Sequence, residues 1–210
     1  MSAPWPKLKR DIVAILRGVK PDEARDIGRA VFEAGIEAIE VPLNSPDPFR
    51  SIATIAADLP AGVLVGAGTV LDPADVDRLV AAGGRLLVAP NVDAAVLARA
   101  AEHALVTMPG VFTPTEAFAA IKAKASALKF FPASVLGPKG IAAISAVLPK
   151  GLIVGVVGGV SEADFADYAK VGVRTFGLGS SLYKPGMSAA DVAARAAAAV
   201  AVWDTVFGEE

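Results

Sequence analysis

The chain is 210 residues long, 54% hydrophobic and 20% charged, a balance that excludes intrinsic disorder and suits one α/β domain with a substantial core. Lys plus Arg is 20 against 22 Asp plus Glu, with no basic block, which argues against nucleic acid as a partner. The absence of cysteine removes disulfides, thiol nucleophiles and zinc thiolate sites, and no apolar run reaches the roughly 18 uncharged residues of a spanning helix.

Met1 to Arg10 holds two prolines and three basic residues but no apolar core, so it does not read as a secretory signal, and a cytoplasmic protein is expected. Asp11-Ile12-Val13-Ala14-Ile15-Leu16-Arg17-Gly18 is nearly continuously apolar, as a strand buried on both faces should be. Pro21-Asp22-Glu23 opens a helix that stops at Gly35. The second strand is Ala38 to Asn44, followed by a helix over 47–58, and the third is Leu64 to Val70, followed by a helix with Asp72 as N-cap and Pro73 at its first position.

The alternation continues. Strands are predicted over 85–91 and 105–110, with helices opening at Asp93 and at Thr113-Pro114-Thr115-Glu116. The sixth strand is Ala127-Leu128-Lys129-Phe130-Phe131-Pro132, its helix entering through Gly137-Pro138. The seventh is Leu152 to Gly159, with a capping box at Ser161-Glu162-Ala163-Asp164, and the eighth is Arg174 to Ser180, with a last helix over 188–206. Eight strand-then-helix units at roughly 26 residues each predict a single-domain TIM (β/α)8 barrel over 1–210, preceded by a short N-terminal helical extension. An open doubly wound sheet is the competing fold; glycine pairs after strands seven and eight, where barrels hold phosphate, favour closure.

The strands are apolar, yet their carboxyl ends carry Arg17, Glu40, Thr69, Asn91, Lys129, Gly158-Gly159 and Gly179-Ser180, positions that a barrel brings to one mouth. Alternation puts Leu128 and Phe130 on one face of their strand and Lys129 on the other with Phe131. An enclosed Lys129 would lose its proton readily and become a nucleophile, whereas on an open edge it would only guard against strand pairing. Glu40 is a carboxylate in a buried strand, suited to shuttling protons or to an ion pair with Arg17 or Lys129. Arg17 offers a planar fork for a carboxylate, with the Thr69 hydroxyl beside it. Gly158, Gly159, Gly179 and Ser180 let backbone N–H groups approach a phosphate. Gly66-Ala67-Gly68 is no dinucleotide fingerprint and instead gives a ligand or a neighbouring strand close backbone access. The single histidine, His103, falls before the fifth strand, away from the mouth, so a metal site built on imidazole is not expected; an all-carboxylate magnesium site stays open.

The runs Ala14-Ile15-Leu16-Arg17-Gly18, Ile39-Glu40-Val41-Pro42-Leu43-Asn44-Ser45-Pro46, Gly66-Ala67-Gly68-Thr69-Val70, Leu128-Lys129-Phe130-Phe131-Pro132 and Val157-Gly158-Gly159-Val160 closely resemble the 2-keto-3-deoxy-6-phosphosugar acid aldolases, in order and over nearly the whole chain. The resemblance is to the 6-phosphogalactonate branch more than to the 6-phosphogluconate branch, which carries an arginine at the position of Asn44, a threonine at that of Pro42 and another at that of Val157. It implies a class I lyase that splits 2-dehydro-3-deoxy-6-phosphogalactonate, a phosphorylated sugar acid, into pyruvate and glyceraldehyde 3-phosphate in galactonate catabolism. It further implies Lys129 as the Schiff-base residue, Glu40 as the proton carrier, Arg17 and Thr69 at the substrate carboxylate, and Gly158, Gly159, Gly179 and Ser180 at its phosphate. No cofactor and no metal, no membrane partner, and assembly as a homotrimer are implied as well. Two other readings remain open on the residues alone: an isomerase or epimerase using Glu40 as base, and a non-catalytic sensor of a phosphorylated sugar acid.

Overall fold

A computed structural model describes residues 2–208. Its strands are β1 (Ile12–Ile15), β2 (Ala38–Pro42), β3 (Leu64–Gly68), β4 (Leu86–Val88), β5 (Val106–Met108), β6 (Gly110–Val111), β7 (Leu128–Phe130), β8 (Val154–Val157) and β9 (Thr175–Leu178). All neighbouring pairs are parallel, in the order β5-β4-β3-β2-β1-β9-β8-β7-β6. The two ends of that order, β5 and β6, are consecutive pieces of the predicted fifth strand, interrupted at Pro109, which has no N–H to give the ladder. The carbonyls of Thr107, Pro109 and Val111 accept from Ala127, Lys129 and Phe131, so this stretch joins β4 to β7 and the barrel closes.

Helices α1 (Ala24–Glu33), α2 (Pro48–Asp58), α3 (Pro73–Ala81), α4 (Ala94–Glu102), α5 (Pro114–Lys122), α6 (Ala133–Ser145), α7 (Phe165–Ala169) and α8 (Ala189–Phe207) form the outer layer. Their starts obey the capping chemistry of the sequence. Asp72 accepts from Ala74 N–H, Asp93 from Ala95 and Val96 N–H, and Thr113 with Glu116 forms a reciprocal box. Ser161 and Asp164 form the expected box too, but it opens only a 3₁₀ turn and the five residues of α7. In α6 the helix begins at Ala133, and Gly137, at φ +63°, breaks it just before Pro138.

The N-terminal helical extension is not present: residues 2–11 carry no helix. Pro4 and Pro6 bias the residues before them toward extended backbone, and the segment finds its partners elsewhere. Ala3 N–H donates to the Leu105 carbonyl, the Ala3 carbonyl accepts from Ser126 Oγ, and Trp5 Nε1 donates to Asp11.

Side-chain alternation sorts two apolar regions. Residues such as Ile12, Ala14, Ile39, Val65, Leu87, Leu128, Phe130, Val156 and Phe176 face the helices. The alternate residues Val13, Ala38, Leu64, Leu86, Val106, Met108 and Ala127 fill the lower barrel interior, where Trp5 joins them as a plug. Replacing Trp5 with Ala is therefore expected to remove roughly 3 kcal/mol and to lower the melting temperature by roughly 6–12 °C. Thermal unfolding followed by circular dichroism checks this; a shift under about 2 °C would mean the plug is not part of the cooperative core.

Candidate active site

The upper barrel interior is built differently from the plugged floor. Across the ladder from Lys129 stand Gly110 on β6 and Gly155 on β8. Beside Glu40 stand Ile15 and Gly66, and opposite Val157 stands Gly177. Small barrels are filled by their inward side chains, and glycine at these positions lets neighbouring groups close in. A Cβ at Gly155 would stand 2.2 Å from Met108 Cε, and one at Gly110 2.3 Å from the Pro90 carbonyl.

Leu128 and Phe130 face the helices and Lys129 faces inward, 6% exposed, with its Nζ 4.7 Å from the centre of the Phe131 ring. Glu40 is 2% exposed. Its carboxylate lies against Gly68, where a Cβ would stand 1.6 Å from Oε2, so β3 admits this acid only because residue 68 has no side chain. The glycine run at 66–68 thus has two uses. Gly66 admits the Leu86 backbone of the next strand, as expected, while Gly68 admits a neighbouring carboxyl rather than a strand or ligand.

Among the described residues Glu40 Oε2 is buried without a hydrogen-bond partner, which is not the signature of a structural ion pair. Burial raises the Glu40 pKa above its ordinary value, opposed by the nearby positive charges of Lys129 and Arg17. Burial also lowers the Lys129 pKa, opposed by Glu40 and aided by Arg17. Both shifts favour an uncharged amine beside a protonated carboxyl, a nucleophile next to a proton source.

Arg17 follows β1 at the exposed rim, where its Nη1 donates to Asn44 Oδ1. Gly18 N–H donates to Ser45 Oγ at 2.9 Å, tying the same two loops together. Thr69 follows β3 with φ +58°, in the left-handed region, a strained conformation for a β-branched residue and one that concentrates at functional sites.

Gly158 and Gly159 turn out of β8 at φ +93° and +70°, which side-chain-bearing residues rarely adopt. Here a Cβ would press on the Phe131 ring and on Ser134 Oγ. The loop after β9 is joined to them by Ser181 Oγ, which donates to the Val160 carbonyl. A cavity of about 470 Å³ opens between these loops, and it gathers Arg17, Gly158, Gly159, Gly179 and Ser180, with Phe131 and Val157 on the side of Lys129. Lys129, Glu40 and Thr69 do not themselves line it. Sequence reasoning missed Asn44 as the partner of Arg17, and Tyr183 and Lys184 as part of the cavity wall. Asn44 could have been found from its place at a strand's carboxyl end; the other two lie beyond the glycine loop, where no periodicity marks them.

His103 caps the end of α4, exposed, with Nε2 3.0 Å from Asp77 Oδ1. Among the described residues no group of three or more His, Cys, Asp or Glu is placed to hold a metal ion, and no helix is long and apolar enough to cross a membrane.

Comparison with known proteins agrees with this geometry. A family model described as KDPG and KHG aldolase matches residues 7–201. A probable 2-dehydro-3-deoxy-6-phosphogalactonate aldolase of Rhizobium meliloti is 63% identical over 205 residues, covering 98% of this chain and 97% of that protein. The 2-dehydro-3-deoxy-6-phosphogalactonate aldolase of Escherichia coli K12 is 45% identical, covering 91% and 94%. A solved structure described as native KDPGal superposes with a TM-score of 0.94 at 43% identity, covering 98% of this chain and 99% of that one. Closed barrel, buried lysine and carboxyl, and matching relatives along the whole length place this chain in the KDPG and KHG aldolase family.

Proposed function

We propose that this chain is a class I aldolase that cleaves 2-dehydro-3-deoxy-6-phosphogalactonate to pyruvate and glyceraldehyde 3-phosphate, with Lys129 as the Schiff-base residue and Glu40 as the proton carrier. The observation that carries the reading is the buried interior shared by Lys129 and a Glu40 carboxyl whose Oε2 has no hydrogen-bond partner among the described residues. The names of the R. meliloti and E. coli relatives support the substrate.

The amine of Lys129 attacks the C2 ketone, and Glu40 protonates the carbinolamine hydroxyl so that it leaves as water. The resulting iminium is an electron sink. When the C4 hydroxyl loses its proton to the Glu40 carboxylate, directly or through water, the C3–C4 bond breaks. Its electron pair passes into the enamine, and the aldehyde is released. Glu40 then returns the proton to C3, and water adds to the iminium to free pyruvate and Lys129. Arg17, held by Asn44, and Thr69 bind the substrate carboxylate, and Gly158, Gly159, Gly179 and Ser180 bind the phosphate. Val157 offers no hydroxyl to the C4 substituent, a missing hydrogen bond worth about 0.5–1.5 kcal/mol, which supports the galacto epimer as the substrate and leaves the gluco epimer as a slower one.

Borohydride added with pyruvate is expected to inactivate the protein and leave a reduced adduct on Lys129, located by peptide mass spectrometry. Because burial pulls Lys129 down from the ordinary 10.5, trapping should persist below that pH and fall only where the depressed pKa is crossed. An isomerase or a sensor would give no adduct, and an unmodified Lys129 overturns the proposal.

Glu40→Gln keeps the shape but cannot carry a proton, so kcat should fall about 10²–10⁴-fold with far less change in KM. A pyruvate-coupled assay reads this, and a loss under about threefold would remove Glu40 from the mechanism.

We further propose a cytoplasmic homotrimer. Phe118, Val135 and Leu71 are 46%, 70% and 54% exposed, apolar surface that assembly would cover. Light scattering should return three times the 21.3 kDa protomer mass; a protomer-sized mass across the micromolar range would refute it.

A further inference from the structure

The residues lining the cavity between the glycine loops include two with charged side chains, Arg17 and Lys184. The mechanism above assigns Arg17 to the carboxylate and gives Lys184 no task. None of the ion pairs among the described residues uses Lys184. Among the described residues no acidic side chain lines this cavity either.

The backbone under Lys184 is fixed from both sides. Leu182 and Tyr183 N–H both donate to the Gly179 carbonyl at 2.9 Å, and Met187 N–H returns to the Lys184 carbonyl. Tyr183 is 2% exposed, and its hydroxyl donates to Glu23 Oε1 at 2.9 Å, anchoring the turn to the segment before α1. On the other flank Pro185 packs so closely on Gly18 that a Cβ there would stand 2.7 Å from its Cγ. Lys184 therefore stands between an anchored tyrosine and a clamped proline, exposed at the rim beside Gly179 and Ser180.

Backbone N–H groups at the glycine loops already favour an anion over a hydroxyl. A cation beside them adds to that preference, because at this end of the substrate only the phosphate carries the opposite charge. Resting on the aldolase reading, we infer that Lys184 is the cation that meets the substrate's terminal phosphate, and that it strengthens the preference for phosphorylated over non-phosphorylated 2-keto-3-deoxy sugar acids.

The test measures inorganic phosphate binding to the full chain by titration calorimetry, and kcat/KM on the phosphorylated acid and its dephosphorylated counterpart. Wild type, Lys184→Met and Lys184→Arg are compared. Lys184→Met should weaken phosphate binding and lower kcat/KM on the phosphorylated acid about tenfold, the size of one charge-assisted hydrogen bond. On the dephosphorylated acid the change should stay within about twofold. Lys184→Arg should recover most of the loss, and raised salt should narrow the gap between wild type and Lys184→Met. Unchanged phosphate binding in Lys184→Met, or an equal loss on both acids, overturns the inference. Failure of the aldolase reading looks different: wild type would then form no pyruvate adduct, while the phosphate titration would still judge Lys184 by itself.

Discussion

Holding an amine and a carboxyl in one buried interior is the constraint on which the rest of this structure depends. Two charges out of water are costly to keep, and the cost is met here by letting both groups relax toward their neutral forms. A direct ion pair would have stabilised the charged forms and made the amine inert. The unpartnered Glu40 oxygen is therefore informative, because a purely structural acid in this position would be expected to have found a donor.

That arrangement needs space at the level of Lys129 and rigidity below it. The lower interior is packed with Val13, Leu64, Leu86, Val106 and Met108 and sealed by Trp5, which places the stabilising hydrophobic burial away from the mouth. Above it, Gly68, Gly110, Gly155 and Gly177 forgo side chains, and a Cβ at any of them would collide with a neighbour. Glycine in a strand weakens it, so these inward glycines make sense as close approach of neighbouring groups, the Glu40 carboxyl at Gly68, the Pro90 carbonyl at Gly110, Met108 at Gly155 and Val157 at Gly177, rather than as a stability device. Thr69 at φ +58° is a second local rule broken at the same end of the barrel.

Much of this was legible in the chain. Continuous apolar strands, Asp and Thr caps and glycine stops mark the units, and alternation sets Lys129 on the face opposite Leu128 and Phe130, since both follow from periodicity; that this face is enclosed follows only from barrel closure. The course of the N-terminal segment is not legible locally because its partners are tertiary: Leu105, Ser126 and the barrel floor decide it, and nothing within residues 2–11 names them. Pro109 splits the fifth strand without ending the barrel, because the chain resumes pairing at Gly110, an outcome that local propensity cannot distinguish from a loop. The role of Gly68 was hidden for a similar reason. Its glycine is explained by a side chain on another strand, and only the register that pairs Pro42 with Gly68 brings Glu40 within reach of it.

The same logic separates the barrel interior from its rim. Glu40 and Lys129 are each shifted by burial toward the neutral form, so their chemistry depends on burial. Arg17 and Lys184 stand at the exposed rim, where solvent screens charge beyond close contact, so their use depends on placement. Placement is what the loops supply: Asn44 takes the Arg17 guanidinium, Ser45 takes the Gly18 N–H, and Pro185 closes on Gly18 from the far side. Gly18 is thus the point where the loops after β1, β2 and β9 meet, and its φ of +85° is a conformation that favours glycine. A side chain there would push Pro185 away and loosen both rim cations at once, without touching the amine or the acid beneath them.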